Sequence, residues 1–378
     1  MKTQLGKRLL AELMGWDDAQ ATVEFAWLQT MVEYKYDHYQ GYSPGSRFFV
    51  NLLSWLAQFA PADRATAYDL IRTKLVFISQ REMHHLVGLT LPRLHRDNRR
   101  AVADQLGVPM CTTWGNAVAE KRLTEVNRRT VYIGLSDGAR TDVLRRLNEG
   151  VISNEQIVAA TEISEKKWDK LRAGLADRLR KEHLGGVPAL FERICLVDDF
   201  TASGSSLIRK DKGQWKGKVP TFISQMSERP DQNRFGTHVT KDCVVQIHHY
   251  IGTEKSRRVI DDLLGEYKLE LGELKISFKA TYSMVLYESI VIGDSSDARL
   301  VDLLRRYYSA SCADDHTGKD IWFGYKQCGL PLILDHNTPN NSIALLWAAS
   351  ARSAEGLAHE MKPLFPRKKR HVEHGQSI

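Results

Sequence analysis

The chain has 378 residues, of which 43% are apolar and 26% charged, with a formal net charge of +7. That length allows roughly two domains, and the balance is that of a globular protein, which excludes a disordered or collagen-like chain. No run approaches the ~18–20 continuous apolar residues of a membrane span. Five scattered cysteines without a C-x-x-C pair argue against a disulfide framework or a zinc site and fit a reducing cytoplasm.

Residues 1–128 read as helical throughout and are expected to form an all-α domain for control or partner binding. Leu5, Leu9, Leu10, Leu13 and Met14 recur at helical spacing, an amphipathic helix rather than a secretory signal. From Gln20 to Tyr39, the residues Val23, Trp27, Met31, Tyr34 and His38 predict one buried helix face. Pro44 suits a first helical turn ahead of the apolar run Phe48–Phe59. Pro61-Ala62-Asp63 then caps a helix expected to continue through Tyr68, Ile71, Leu75 and Ile78. A further helix over Met83–Leu94 should kink at Pro92. The stretch Leu106–Arg129, with few periodic apolar residues, is the expected domain boundary.

Beyond it, short β-rich runs (130–135, 193–197, 243–251, 274–278, 286–292 and 331–334) alternate with helices (142–147, 155–181, 254–267 and 298–308). Nearly unbroken apolar strands alternating with helices predict an α/β domain over 129–352, with a parallel sheet covered on both faces. Such sheets bind ligands at the carboxyl ends of their strands. Residues 353–378 are expected to be a helix end and a tail carrying Arg367-Lys368-Lys369-Arg370. That tail is either a solvated terminus or an electrostatic arm for a polyanion, and charge alone does not decide between the two.

The most informative segment runs from Ile194 to Leu207. Four apolar residues predict a buried strand, Asp198 and Asp199 stand at its end, and a turn of small and hydroxylic residues follows. A helix is expected to start near Ser206. Gly204 permits close approach of backbone to an anion. Amides at a helix N-terminus, with the hydroxyls of Ser203, Ser205 and Ser206, would then hold a phosphate. Asp198 and Asp199 can accept hydrogen bonds from two vicinal ribose hydroxyls. No lysine directly follows the glycine, as it would in a P-loop. The acidic residues precede the turn, where a dinucleotide fingerprint places them some 20 residues later. A serine-rich cap beside two solvated aspartates is the plainer alternative.

Two further turns follow predicted strands. Thr130–Leu135 leads into Ser136-Asp137-Gly138-Ala139-Arg140, where Arg140 can pair with a diphosphate and Gly138 allows close approach; an ordinary helix cap with a surface arginine is the alternative. Gly329–Leu334 leads into a polar turn containing Asn337 and Asn340, which would either line a base or leaving-group pocket or simply close an Asx-bonded turn. His248-His249, at the end of a predicted core strand, suits packing or a site role.

The segment Ile194–Leu207 resembles the PRPP-binding signature of type I phosphoribosyltransferases. The resemblance implies that Asp198 and Asp199 hold the ribose 2- and 3-hydroxyls and that Ala202, Ser203, Gly204, Ser205 and Ser206 hold the 5-phosphate. Ser136, Asp137 and Gly138 stand where such enzymes place their pyrophosphate loop, and Arg140 would stabilise leaving-group charge. Mg2+ is the implied cofactor, with Asp198 and Asp199 as its candidate ligands.

Over residues 128–350 the layout is similar to the phosphoribosyltransferase-like family of bacterial conflict systems, carried by "SDGART", "VDDFTASGSS" and "LPLILDHNTPNNSIALLW". That resemblance implies an antiphage effector acting on PRPP or nucleotides. Its implied partner is a defence protein such as a retron reverse transcriptase with its nucleic acid; a cytoplasmic location, no membrane and an oligomer are compatible with it. One departure stands out. The lid loop of standard enzymes would fall between Leu147 and Glu192, but Trp168, Leu171, Leu175 and Leu179 predict a helix there, so either another segment such as the polar insert Lys210–Lys241 closes the site or standard transfer chemistry is lost. A non-catalytic nucleotide sensor or a nucleic-acid-binding subunit are the competing readings.

Overall fold

A computed structural model describes residues 3–41, 47–227, 233–312, 320–350 and 361–368. Among them are nine strands: β1 Val76–Ile78, β2 Thr130–Gly134, β3 Ile157–Val158, β4 Phe191–Phe200, β5 Arg209–Asp211, β6 Gln214–Lys216, β7 Val239–Thr253, β8 Ser277–Leu286 and β9 Leu332–Leu334. The chain divides into two compact units, one of residues 1–83 with 289–378 and one of residues 84–288.

This division differs from the boundary expected near residue 128. The helix Ala117–Arg128 buries Ala119, Leu123 and Val126, so the stretch Leu106–Arg129 is part of a packed element rather than a linker. The discontinuous unit is closed by pairing between distant segments: β1 and β9 run parallel, Val76 opposite Leu332 and Ile78 opposite Leu334. Its core joins Leu52, Trp55 and Phe59 to Leu304, Leu346 and Phe365, and the Trp55 indole donates to the Leu345 carbonyl. β9 therefore belongs to a two-stranded pair and not to the main sheet.

Several local expectations also change. The helix Asp18–Tyr34 buries Ala21, Phe25, Leu28 and Val32, while Val23 and Tyr34 are 64% and 65% exposed. Trp27 and Met31 pack partly buried against the same core, so the buried face is turned relative to the expected one because apolar residues lie on both sides of the helix. The helix from Pro61 ends at Asp69, and a wide π-type turn over Leu70–Lys74 leads into β1. The kink expected at Pro92 is a break ahead of it: helices Gln80–Gly88 and Thr90–Leu106 meet at Leu89, and Pro92 lies in the first turn of the second, where a missing amide is tolerated. Pro44 lies outside the described residues. Residues 353–360, where a helix end is expected, lie outside the described residues, as do Lys369 and Arg370 of the basic run; Met361–Lys368 forms neither helix nor strand, with Met361, Leu364 and Phe365 buried.

The continuous unit holds the main sheet, with strand order β3-β2-β4-β7-β8 and every pair parallel. The helix Glu165–Lys181, capped by Ser164, buries Trp168, Leu171, Leu175 and Leu179 against Phe191, Ile194 and Leu196. It is shorter than expected, because residues 154–158 form a turn and the edge strand β3. The two runs 274–278 and 286–292 are replaced by one strand, β8, followed by a short turn at Glu288–Ile290. After β2 the chain moves outward to β3, and after β4 it moves the other way to β7. The carboxyl ends of β2 and β4 thus flank the point where strand order reverses, the crevice where open α/β sheets bind ligands.

Candidate functional site

Two of the three turns picked out from sequence meet at that crevice. Ser136, two residues beyond the end of β2, donates its hydroxyl to Oδ1 of Asp198 near the end of β4. The same hydroxyl accepts from the Gly138 amide at 3.2 Å, which folds the turn Asp137–Ala139. A Cβ on Gly138 would collide with the Asp199 carboxylate, so the glycine lets this turn close onto the acidic pair. Tyr250 of β7, fully buried, donates its hydroxyl to the Ala139 carbonyl and pins the turn from below. Burial, reinforced by nearby acidic charge, holds that hydroxyl well above its ordinary range, so it remains a donor.

Arg140 follows in the left-handed region, φ 46°, and begins the helix Thr141–Leu147. A non-glycine residue there stores on the order of 1–3 kcal/mol of strain, a feature that clusters at functional positions. Its charge is close enough to Tyr250 to act against the effect of burial.

The turn after β4 is built by β7 and the helix Glu254–Leu269. Thr201 donates its amide to Ile251. Thr253 and Ser256, which form a capping box, donate their hydroxyls to the carbonyls of Ala202 (2.7 Å) and Thr201 (3.3 Å). Gly204 adopts φ 75° with its Cα against Ile260, and its carbonyl accepts from the Leu207 and Ile208 amides. Ser203 and Ser205 share a hydroxyl hydrogen bond of 2.9 Å. The helix expected from Ser206 is absent. The chain instead turns into the antiparallel ribbon β5–β6, reversing at Lys212-Gly213 with positive φ at both residues, as a tight hairpin demands. A helix follows only at Lys218–Ser227. The turn Ala202–Ser206 therefore has its hydroxyls and amides but no helix dipole starting at Ser206.

Sequence reasoning missed Lys218. Its Nζ lies 2.5 Å from Asp198 Oδ2. With Ser136 on Oδ1, both carboxylate oxygens of Asp198 are engaged, and the side chain is 5% exposed. Burial and then the charge of Asp199 raise the proton affinity of Asp198 against the pull of Lys218 and Ser136. Asp198 does not fit as a metal ligand in this arrangement. Among the described residues the group of three side chains at metal-ligand spacing is Glu165, Asp169 and His238, away from the acidic pair in sequence and on other elements.

His249 stands opposite Asp198 across the β4–β7 pair. It is buried and held neutral, its pKa lowered to about 3 by burial and then by Lys218. It stacks on Tyr282, 5.9 Å between ring centres, and its Nδ1 has no hydrogen-bond partner among the described residues. His248 instead bonds Thr281 and Ser283, a packing role. Asn337 and Asn340 lie in the other unit. There the Asn337 side chain exchanges hydrogen bonds with the backbone of Lys368, and the Asn340 backbone carbonyl accepts from the Tyr325 amide. The span Leu147–Glu192 holds the packed helix Glu165–Lys181 and no antiparallel ribbon; the ribbon of this unit, β5–β6, follows β4 instead.

Among the described residues no helix is long and apolar enough to cross a membrane. Neither a curated protein nor a solved structure matches the chain. The model of the PRTase-CE family matches residues 52–367, and the chain belongs to this phosphoribosyltransferase-like family.

Proposed function

We propose that the crevice between β2 and β4 binds the ribose 5-phosphate group of PRPP or a nucleotide, and that the protein transfers or cleaves at the sugar's anomeric carbon. The observation that carries this reading is the convergence of Asp198, Asp199, Ser136 and the Gly204 turn at the topological switch point. Asp199 and Asp198 would accept from the ribose hydroxyls, and Ala202–Ser206 would surround the 5-phosphate. Arg140 and the Ser136–Gly138 turn would stabilise charge developing on the leaving group, with no reorganisation needed at the moment of reaction. Positioning and electrostatics do the chemistry, and no covalent nucleophile is required. Mg2+ enters this reading as the counter-ion of a ligand diphosphate, not as a metal on Asp198.

In the cell this activity would serve as the effector of a bacterial antiphage system, held in check by a cytoplasmic partner such as a retron reverse transcriptase with its nucleic acid. A second reading, a nucleotide sensor without turnover, is favoured by one observation: the span Leu147–Glu192, where a lid would fall, holds the packed helix Glu165–Lys181 and no antiparallel ribbon. Incubation with PRPP and a panel of nucleotides, followed by mass analysis, separates the two. An enzyme releases pyrophosphate, free base or a ribosylated product. A sensor returns every ligand intact.

A further inference from the structure

Two carboxylates side by side at a strand end repel each other and the phosphate of an incoming ligand, so such a site needs a cation. In this chain that cation is part of the fold. Lys218 Nζ lies on Asp198 Oδ2, on the side left open by Ser136. Its backbone is fixed by the phosphate turn itself: the Lys218 amide donates to Ser206 at 3.1 Å and the Val219 amide to Leu207 at 3.0 Å. Gly217, φ 116°, permits this approach, since a Cβ there would lie 2.6 Å from the Leu207 carbonyl oxygen.

The placement runs against local electrostatics. Lys218 is the first residue of the helix Lys218–Ser227, where the macrodipole disfavours a positive charge. An opposing interaction must hold it there, and Asp198 supplies one. The neighbouring imidazole of His249 is buried and neutral and brings no charge of its own. The lysine side chain is 34% exposed, and its ammonium has three donors, of which Asp198 takes one.

We infer that Lys218 is the resident cation of the ribose site, taking the position on Asp198 that a divalent metal would hold, so that a ribose 5-phosphate group binds without metal. The inference rests on the phosphoribosyl reading above and specifies how that site is neutralised. Lys218 is a positioning residue: it orients the Asp198 carboxylate and balances its charge.

Two measurements on the full chain test this. In the first, ribose 5-phosphate, which has no diphosphate to bring its own metal, is titrated calorimetrically in EDTA and in millimolar Mg2+. Wild type should bind equally in both. Lys218→Met should lose at least about tenfold in EDTA, the loss expected for one charge-assisted partner, and regain affinity in Mg2+. Lys218→Arg, which keeps a cation, should behave as wild type and shows that the site still folds. In the second, Mn2+ alone is followed by electron paramagnetic resonance. Lys218→Met should gain a bound Mn2+ that wild type lacks, and Asp198→Asn in the same background should abolish it. Metal-dependent binding by wild type overturns the inference, as does undiminished binding by Lys218→Met in EDTA or a loss that Mg2+ does not restore. If wild type binds no ribose 5-phosphate in either condition, the phosphoribosyl reading fails, and the Mn2+ comparison then decides by itself whether Lys218 holds a cation's place.

Discussion

Ser136 and Asp198, 62 residues apart in sequence, share a hydrogen bond that joins the ends of β2 and β4. It makes one crevice out of two separate strand–turn segments, and the Gly138–Asp199 contact tightens the same junction. Ser136→Ala removes the donor from a buried carboxylate. Hydrogen bonds to charged groups contribute about 1.5–3 kcal/mol, so the midpoint of chemical denaturation should fall by a corresponding amount. An unchanged midpoint would show that the junction adds nothing to the fold.

Asp198 should be a residue kept for ligand binding at the expense of stability. Burial and the Asp199 charge raise its folded pKa above the unfolded value. The folded state then holds the proton more tightly, so this group's contribution is present at low pH and is lost as pH rises from the ordinary carboxylate range towards the raised value. At neutral pH Asp198→Asn relieves the penalty. The variant should melt higher than wild type, each kcal/mol gained being about 2–4 °C for a domain of this size, yet lose its thermal response to PRPP. A lower Tm would mean that the pairing with Lys218 outweighs burial.

Much of this site was legible in the sequence. The unbroken Ile194–Val197 run, the two aspartates and Gly204 announced a buried strand ending in a tight small-residue turn, and the structure puts that strand between β2 and β7 in the middle of the sheet. What was illegible depended on non-local pairing. β1 has three residues, too few for a periodic signal, and β9 gives no sign in sequence that its partner lies in the N-terminal half. Lys218 was hidden because the β5–β6 ribbon separates it from the motif. The Lys212-Gly213 turn and Gly217 were the available signals that the chain doubles back.

Gly204 has less freedom than a surface turn would give it. It is buried, its φ is 75°, and a Cβ would lie 3.0 Å from Ile260 Cγ1. Gly204→Ala should therefore destabilise the protein by about 1–3 kcal/mol, read as a lower Tm, in addition to weakening phosphate binding. Ligand loss without any change in Tm would place the glycine in a looser turn than the one described.

His249 gives the fold an acid-sensitive point. Its folded pKa of about 3 lies below the unfolded value near 6.5. The unfolded chain therefore takes up a proton that the folded chain refuses, and stability falls as pH drops from 6.5 towards 3. His249→Gln should flatten the decline of unfolding free energy between pH 6.5 and 5 by up to about 1.4 kcal/mol per pH unit. Parallel curves for wild type and variant would show that His249 is not held neutral.

The central claim is that Asp198 and Asp199 at the β2–β4 crevice hold a phosphoribosyl group. Calorimetric titration of PRPP into wild type and into the Asp198→Asn/Asp199→Asn double variant tests it most directly, with the variant's fold verified by circular dichroism. Loss of two charged acceptors, each contributing about 1.5–3 kcal/mol, predicts saturable binding by wild type and a drop of at least about tenfold in the variant. Equal binding by the two proteins would contradict the claim and move the ligand away from this strand end.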